Sequence, residues 1–187
     1  MSFKVHSKET APAASRPVLE GMEQHIGFIP NLIGILAESP MAITSVAAVN
    51  QAIEQASLTP IERRVVTVTA SAENNCSYCV PAQSTLAKMA EMPDNILDQV
   101  RKGQTLSDKK LEALRTLTLN IMQNNGWVPE KDIDAFTSAG YGINHVMEVI
   151  TLVSLMTLTN YVSHIASVPL DEAFMAQQWH GVERKTA

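Results

Sequence analysis

Cysteine is scarce: the chain of 187 residues has two, Cys76 and Cys79. A bridge across so short a loop adds little stability, so a disulfide scaffold is excluded. Basic charge is also short. Lys and Arg total 14 against 19 Asp and Glu, a formal net charge of −5, and nothing resembles a nucleic-acid-binding stripe. Gly-rich phosphate loops and other cofactor motifs are missing, so no cofactor is expected. Zinc wants four ligands, but there is no second Cys pair, and His6, His25, His145, His164 and His180 lack paired spacing; no metal is expected either. Residues 1–20 contain no apolar run of secretory-signal length. The most apolar segment, 146–158, is too short to span a bilayer and reads as a buried core helix. The expected location is the cytoplasm, with neither membrane nor nucleic acid as partner.

What is present is helical punctuation. Ser39-Pro40 pairs a capping residue with proline at the first helical position and opens a helix to about Gln55. Thr59 and Glu62 form a capping box around Pro60, starting a helix that runs toward Asn75. Met92-Pro93-Asp94, Ser107-Asp108 and Pro129 open three more, ended by Gly103, Asn125-Gly126 and Gly140. A long apolar helix occupies about 143–166, and Pro169 with Asp171 starts a last short one. The stretch Val65-Val66-Thr67-Val68-Thr69 is strand-like by propensity. The capping box before it and the prospect of burial favour helix. The segments 65–72 and 149–156 are both apolar and dotted with threonine, which suits two related helix pairs. The expected fold class is an all-α, single-domain helical bundle over residues 21–187, preceded by a loose arm at 1–20. A chain of this length buries roughly 70% of its unfolded surface. Trp127 is expected to anchor a loop, and Trp179 to lie in a tail that docks on a neighbouring subunit. Met147 and Met156 read as core or interface filling.

The chemistry candidate is Asn75-Cys76-Ser77-Tyr78-Cys79-Val80-Pro81-Ala82-Gln83. Two intervening residues let the sulfurs meet across one helical turn and exchange between dithiol and disulfide. A helix starting near Ser77 puts Cys79 in its first turn, where free N–H groups and the macrodipole favour a thiolate. A thiolate attacking a peroxide becomes a sulfenic acid, which the neighbouring thiol converts to a disulfide. An external thiol must then reduce it.

The run from Glu62 through Gln83, with Ala72-Glu73-Asn74 before the dithiol, resembles the alkyl hydroperoxidase D / carboxymuconolactone decarboxylase family. Phe28-Ile29-Pro30-Asn31-Leu32 and Leu36-Ala37-Glu38-Ser39-Pro40 resemble its N-terminal helices. Asn160-Tyr161-Val162-Ser163-His164 and Pro169-Leu170-Asp171-Glu172-Ala173-Phe174 resemble the C-terminal signature of its peroxidase-related branch. The resemblance implies an all-helical fold, assembly into dimers, trimers or hexamers, and peroxide reduction with Cys79 attacking and Cys76 resolving. The implied partners are a hydroperoxide and an external thiol or dithiol reductant.

The family's peroxidase pattern has Glu twelve residues before the first Cys and His four after the second; here Arg64 and Gln83 stand there. Gln83 cannot take a proton at neutral pH, and Arg64 acts only as a fixed charge. Glu73, one turn before Cys76, and Glu148 and His164 on the long C-terminal helix are the substitutes available. Their plainer readings are a solvated helix-end carboxylate, a capping or interface carboxylate and a structural histidine. Tyr78 is expected to pack over the dithiol, its pKa near 10 being unsuited to reaction. Two other functions compete with hydroperoxide reduction. One is a carboxymuconolactone decarboxylase-like lyase using Arg64 as cationic anchor, and the other is a non-catalytic redox-sensing oligomer.

Overall fold

The computed structural model describes residues 3–181, and among them every regular element is helical. The α-helices are α1 (Arg16–Ile26), α2 (Asn31–Leu36), α3 (Pro40–Ile53), α4 (Pro60–Glu73), α5 (Cys79–Met89), α6 (Asp94–Arg101), α7 (Lys109–Gln123), α8 (Glu130–Ser138) and α9 (Ile143–Ala166). Short 3₁₀ helices cover Ala13–Ser15 and Glu172–Gln177.

Helix α4 is the hub, packed against α5, α6, α7 and α9. Its start is the expected capping box: Thr59 Oγ1 accepts from the Glu62 amide at 3.2 Å, and Glu62 Oε2 accepts from the Thr59 amide at 2.8 Å. The strand-like run stays helical because it is enclosed. Val65, Val66 and Val68 are fully buried, each contributing roughly 1.5–3 kcal/mol by burial, against a helix-propensity penalty of at most ~0.7 kcal/mol per residue. The two threonine-dotted apolar segments pack together, with Ser71 on α4 facing the Met156 sulfur on α9 at 3.6 Å.

Three expectations are corrected. The described part of the 1–20 segment is not a loose arm. The His6 amide donates to the Gly34 carbonyl at 3.1 Å, Ser15 Oγ donates to the Ala37 carbonyl at 2.7 Å, and Leu19 is wholly buried in α1. Gly34 permits that approach, since a Cβ there would lie 2.8 Å from the His6 carbonyl oxygen. Trp127 anchors nothing, being 86% exposed. Trp179 is buried within its own chain with Ala72 and Val80, its Nε1 donating to the Arg101 carbonyl at 3.2 Å.

Helix α9, at 24 residues, is longer than the apolar segment at its heart and could cross a membrane by length and composition. One face nevertheless lies in the core, where Val149, Leu152 and Met156 are buried.

Candidate active site

Helix α4 ends in a way that fixes the first cysteine. Asn75 takes the left-handed conformation, φ 54°, which asparagine tolerates better than most residues. The Asn75 amide then bonds the Ala72 carbonyl and the Cys76 amide the Ser71 carbonyl, both at 3.0 Å. This pair of bonds is the Schellman arrangement, and it places Cys76 immediately past the helix end. Cys79 is the first residue of α5. Pro81 follows in the first turn, where the missing N–H costs no intrahelical bond.

Both cysteines are free thiols and buried. The Cys79 amide donates to Cys76 Sγ at 3.1 Å, so the sulfur seated on the start of α5 is that of Cys76. Its pKa is drawn down to about 6, chiefly because the Cys79 thiol donates to it; the Cys79 amide, Ser163 and the Tyr78 backbone add to this against the opposing effect of burial. The Cys79 thiol is pushed well up, because it is the donor in that bond, because it is buried and because it faces the Cys76 charge. The helix-start argument from sequence gave the thiolate to Cys79. The geometry favours Cys76 instead, because the side chain that reaches the first amide of α5 belongs to the residue three positions ahead of it.

Helix α9 closes the site with two residues that sequence reasoning did not single out. Ser163 Oγ lies 3.5 Å from Cys79 Sγ. Asn160 is completely buried. Its Oδ1 accepts from Asn74 Nδ2 at 2.9 Å, while its Nδ2 has no hydrogen-bond acceptor among the described residues. That amide acts on the Cys79 thiol and favours its ionised form, as Ser163 does. The signal was present in the Asn160–His164 run, but only the packing of α9 shows which of its residues face the sulfurs.

Tyr78 is a strut. Its hydroxyl donates to Asp171 Oδ2 at 2.6 Å, and its ring stands edge-on to Phe174, centroids 6.1 Å apart. Asp171 also accepts from the Asn31 amide at 3.1 Å. The dithiol turn is thereby tied to the start of α2 and to the C-terminal segment. Burial and the Asp171 carboxylate push the Tyr78 hydroxyl far above its ordinary pKa.

The other sequence candidates are engaged elsewhere. Arg64 Nη1 donates to Gln83 Oε1 at 2.7 Å. Glu73 accepts from Gln123 Nε2 at 3.2 Å. Glu148, roughly 22 Å down α9 from Ser163, accepts from the Ser57 and Leu58 amides and the Ser57 hydroxyl. His164 is exposed although its neighbour Ser163 is buried. Among the described residues no three His, Cys, Asp or Glu side chains gather as metal ligands would.

Residues 42–120 match the sequence pattern of the carboxymuconolactone decarboxylase family. No curated protein matches the chain. Among solved structures, the alkylhydroperoxidase AhpD core, an uncharacterized peroxidase-related protein from Ralstonia eutropha JMP134, superposes with a TM-score of 0.83 at 22% identity, covering 92% of this chain and 93% of that one. The debrominase Bmp8, as a cysteine-to-alanine variant in complex with 2,3,4-tribromopyrrole, gives 0.78 at 17% identity over 94% and 95% of the two chains. An uncharacterized peroxidase-related protein from Silicibacter sp. TM1040 gives 0.77 at 14% identity over 93% and 92%. The 42–120 segment thus resembles the carboxymuconolactone decarboxylase family, and the fold as a whole is the one seen in the AhpD-like structures.

Proposed function

We propose that this protein is a thiol-dependent oxidoreductase that reduces a hydroperoxide by cycling Cys76 and Cys79 between dithiol and disulfide, in the reducing cytoplasm. The carrying observation is the 3.1 Å bond from the Cys79 amide to Cys76 Sγ, which supports a thiolate on Cys76 near neutral pH. The Cys76 sulfur attacks the terminal peroxide oxygen, and the O–O bond breaks. Cys79 gives its proton to the departing alkoxide, so the products are an alcohol, a Cys76 sulfenic acid and a Cys79 thiolate. The Cys79 sulfur then attacks Cys76 and expels hydroxide, which leaves as water once protonated. An external dithiol reduces the resulting disulfide and is itself oxidised to a disulfide.

This order reverses the one the resemblance implies, and it accounts for Arg64 and Gln83. Neither handles a proton, but Cys79 keeps its own and sits beside the leaving oxygen. Ser163 and the spare Asn160 amide then support the charge left on Cys79. The lyase alternative would rest on Arg64 as its anchor, and one N–H of that guanidinium is already turned to Gln83.

The test is to add one equivalent of an organic hydroperoxide to the reduced protein. Loss of both thiols with a two-hydrogen mass decrease is expected; thiols persisting for hours would overturn the proposal. In Cys79→Ser the reaction should stop at a sulfenic acid on Cys76, trapped by dimedone. A sulfenic acid on Cys79 in Cys76→Ser would restore the opposite order.

A second reading has one observation in its favour, the fold shared with the debrominase Bmp8. The same dithiol would supply two electrons to an aryl bromide: C–Br gives way to C–H, bromide leaves and the disulfide forms. Bromide release from a bromopyrrole separates the two readings.

A further inference from the structure

We infer that α9 pairs with α9 of a second copy of this chain, antiparallel and crossing at Ser154. The helix carries a stripe of outward apolar side chains, Ile143, Met147, Ile150, Leu158, Tyr161 and Ile165, between 39% and 70% exposed. Met147, which could have been core or interface filling, is not core. With the exposed Ser154 at the centre, the stripe has spacings of four, three, four, four, three and four residues. The order reads the same in both directions. A two-fold axis at Ser154 therefore sets Ile143 opposite Ile165 of the second copy, Met147 opposite Tyr161, Ile150 opposite Leu158 and Ser154 opposite itself. That self-complementarity is what an isologous interface requires.

Desolvating this face costs little. The hydroxyls that share it are already bonded within the helix: Thr151 to the Met147 carbonyl at 2.9 Å, Ser154 to Ile150 at 2.8 Å and Thr157 to Val153 at 2.8 Å. Their methyl and methylene groups are left to face outward. The one Asp, Glu, Lys or Arg in α9 is Glu148, whose carboxylate is held by the Ser57–Leu58 turn. Shape also fits. Ile150 and Ser154 line grooves on both sides of the α9 ridge, one shared with Ser45 and Val49 of α3 and the other with Ile121 and Met122 of α7. Ridges of a second α9 can enter grooves of this kind, and a small residue at the crossing allows the close approach.

The six apolar residues keep between 39% and 70% of their surface exposed, the kind of surface from which an interface of ~800 Å² per partner is built. The helix offers about 36 Å of length for the contact. A bilayer is a poorer occupant, because the opposite face of the same helix is committed to the core. An interfacial helix would also carry the lysines and arginines that this stripe lacks.

Sedimentation of the intact chain at tens of micromolar tests the inference independently of any thiol chemistry. The expected mass is twice 20.4 kDa or another even multiple. Ser154→Arg, which brings two guanidinium groups together on the axis, should reduce an isolated pair to monomers and halve the particle mass of any larger assembly, with its helical circular dichroism intact. In a Cys76→Ser/Cys79→Ser background, Ser154→Cys should oxidise to a covalent dimer, while Met89→Cys, at an exposed position on α5, should not. A monomer or a trimer for the unaltered chain would overturn the inference. So would an assembly that Ser154→Arg leaves intact without a crosslink at 154, or a monomer that binds phosphatidylcholine vesicles.

Discussion

Arg64 Nη1 donates to Gln83 Oε1 at 2.7 Å, joining α4 to α5 at the two positions where the family's peroxidase pattern has Glu and His. The bond links the two helices, and neither of its residues handles a proton at neutral pH. Burial and the neighbouring Arg63 lower the Arg64 pKa, yet a guanidinium remains a poor base. Restoring the pattern with Arg64→Glu/Gln83→His should therefore speed disulfide formation by hydroperoxide, on the order of tenfold or more, as a positioned general acid–base pair does. Stopped-flow fluorescence or quenched thiol counting reads the rate. An unchanged rate would mean that Cys79 already supplies all the acid catalysis the step can use.

The titration of Cys76 gives a second prediction. Alkylation of Cys76 by iodoacetamide should rise with a midpoint of about 6. Cys79→Ala should move that midpoint upward, because the largest contribution is the bond from the Cys79 thiol. Stability should follow. The folded-state pKa lies below the ordinary thiol value of 9.0, so the folded protein binds fewer protons than the unfolded chain between those limits. Thiolate stabilisation is thus present at pH 9 and lost as pH falls through 6. Denaturant melts of the reduced protein against Cys76→Ser should show a stability gap that widens from pH 6 to pH 9.

Asn160 offers a test of the resolving step. Its buried Nδ2 has no acceptor at ordinary hydrogen-bonding distance among the described residues, yet it acts on Cys79 in the sense that favours the thiolate, the form that attacks in the resolving step. Asn160→Leu should slow closure of the disulfide by about tenfold, near 1.4 kcal/mol, while sulfenic acid formation at Cys76 changes less. Ser163→Ala should show the same split more weakly. Mass spectrometry with dimedone trapping separates the two rates. Equal slowing of both would assign Asn160 to structure alone.

Local signals explain how much of this was legible. The Thr59 capping box, Ser39-Pro40 and the bounds of α9 are written in adjacent residues, and the structure has them where the spacing puts them. Small and polar residues at 1–20 look solvated and so suggest a loose arm. What holds them is a long-range contact, Ser15 with the Ala37 carbonyl, that no local pattern encodes. Trp127 and Trp179 exchanged their expected exposures for the same reason. At the site, the Cys-x-x-Cys spacing pointed to the dithiol. Which sulfur accepts the helix amide depended on whether α5 begins at residue 77 or 79, and Asn160 and Ser163 came into view only through the packing of α9.

Tyr78 lies between the two cysteines in sequence, yet its contacts tie the dithiol turn to the C-terminal segment. Tyr78→Phe keeps the ring against Phe174 and removes the donor to Asp171. Asp171, itself buried, is then left with the Asn31 amide alone for its charge. Losing one partner of a buried charged acceptor costs about 1–3 kcal/mol. For a chain of this size that lowers the melting temperature by about 2–4 °C per kcal/mol. Cys76 Sγ keeps its bonds from Cys79 in this variant, so its alkylation midpoint should stay near 6. Thermal melts and the iodoacetamide profile, measured on the same sample, check both halves. A large shift in the thiol profile would show that the tyrosine acts on the dithiol itself, beyond its tie to the C-terminal segment.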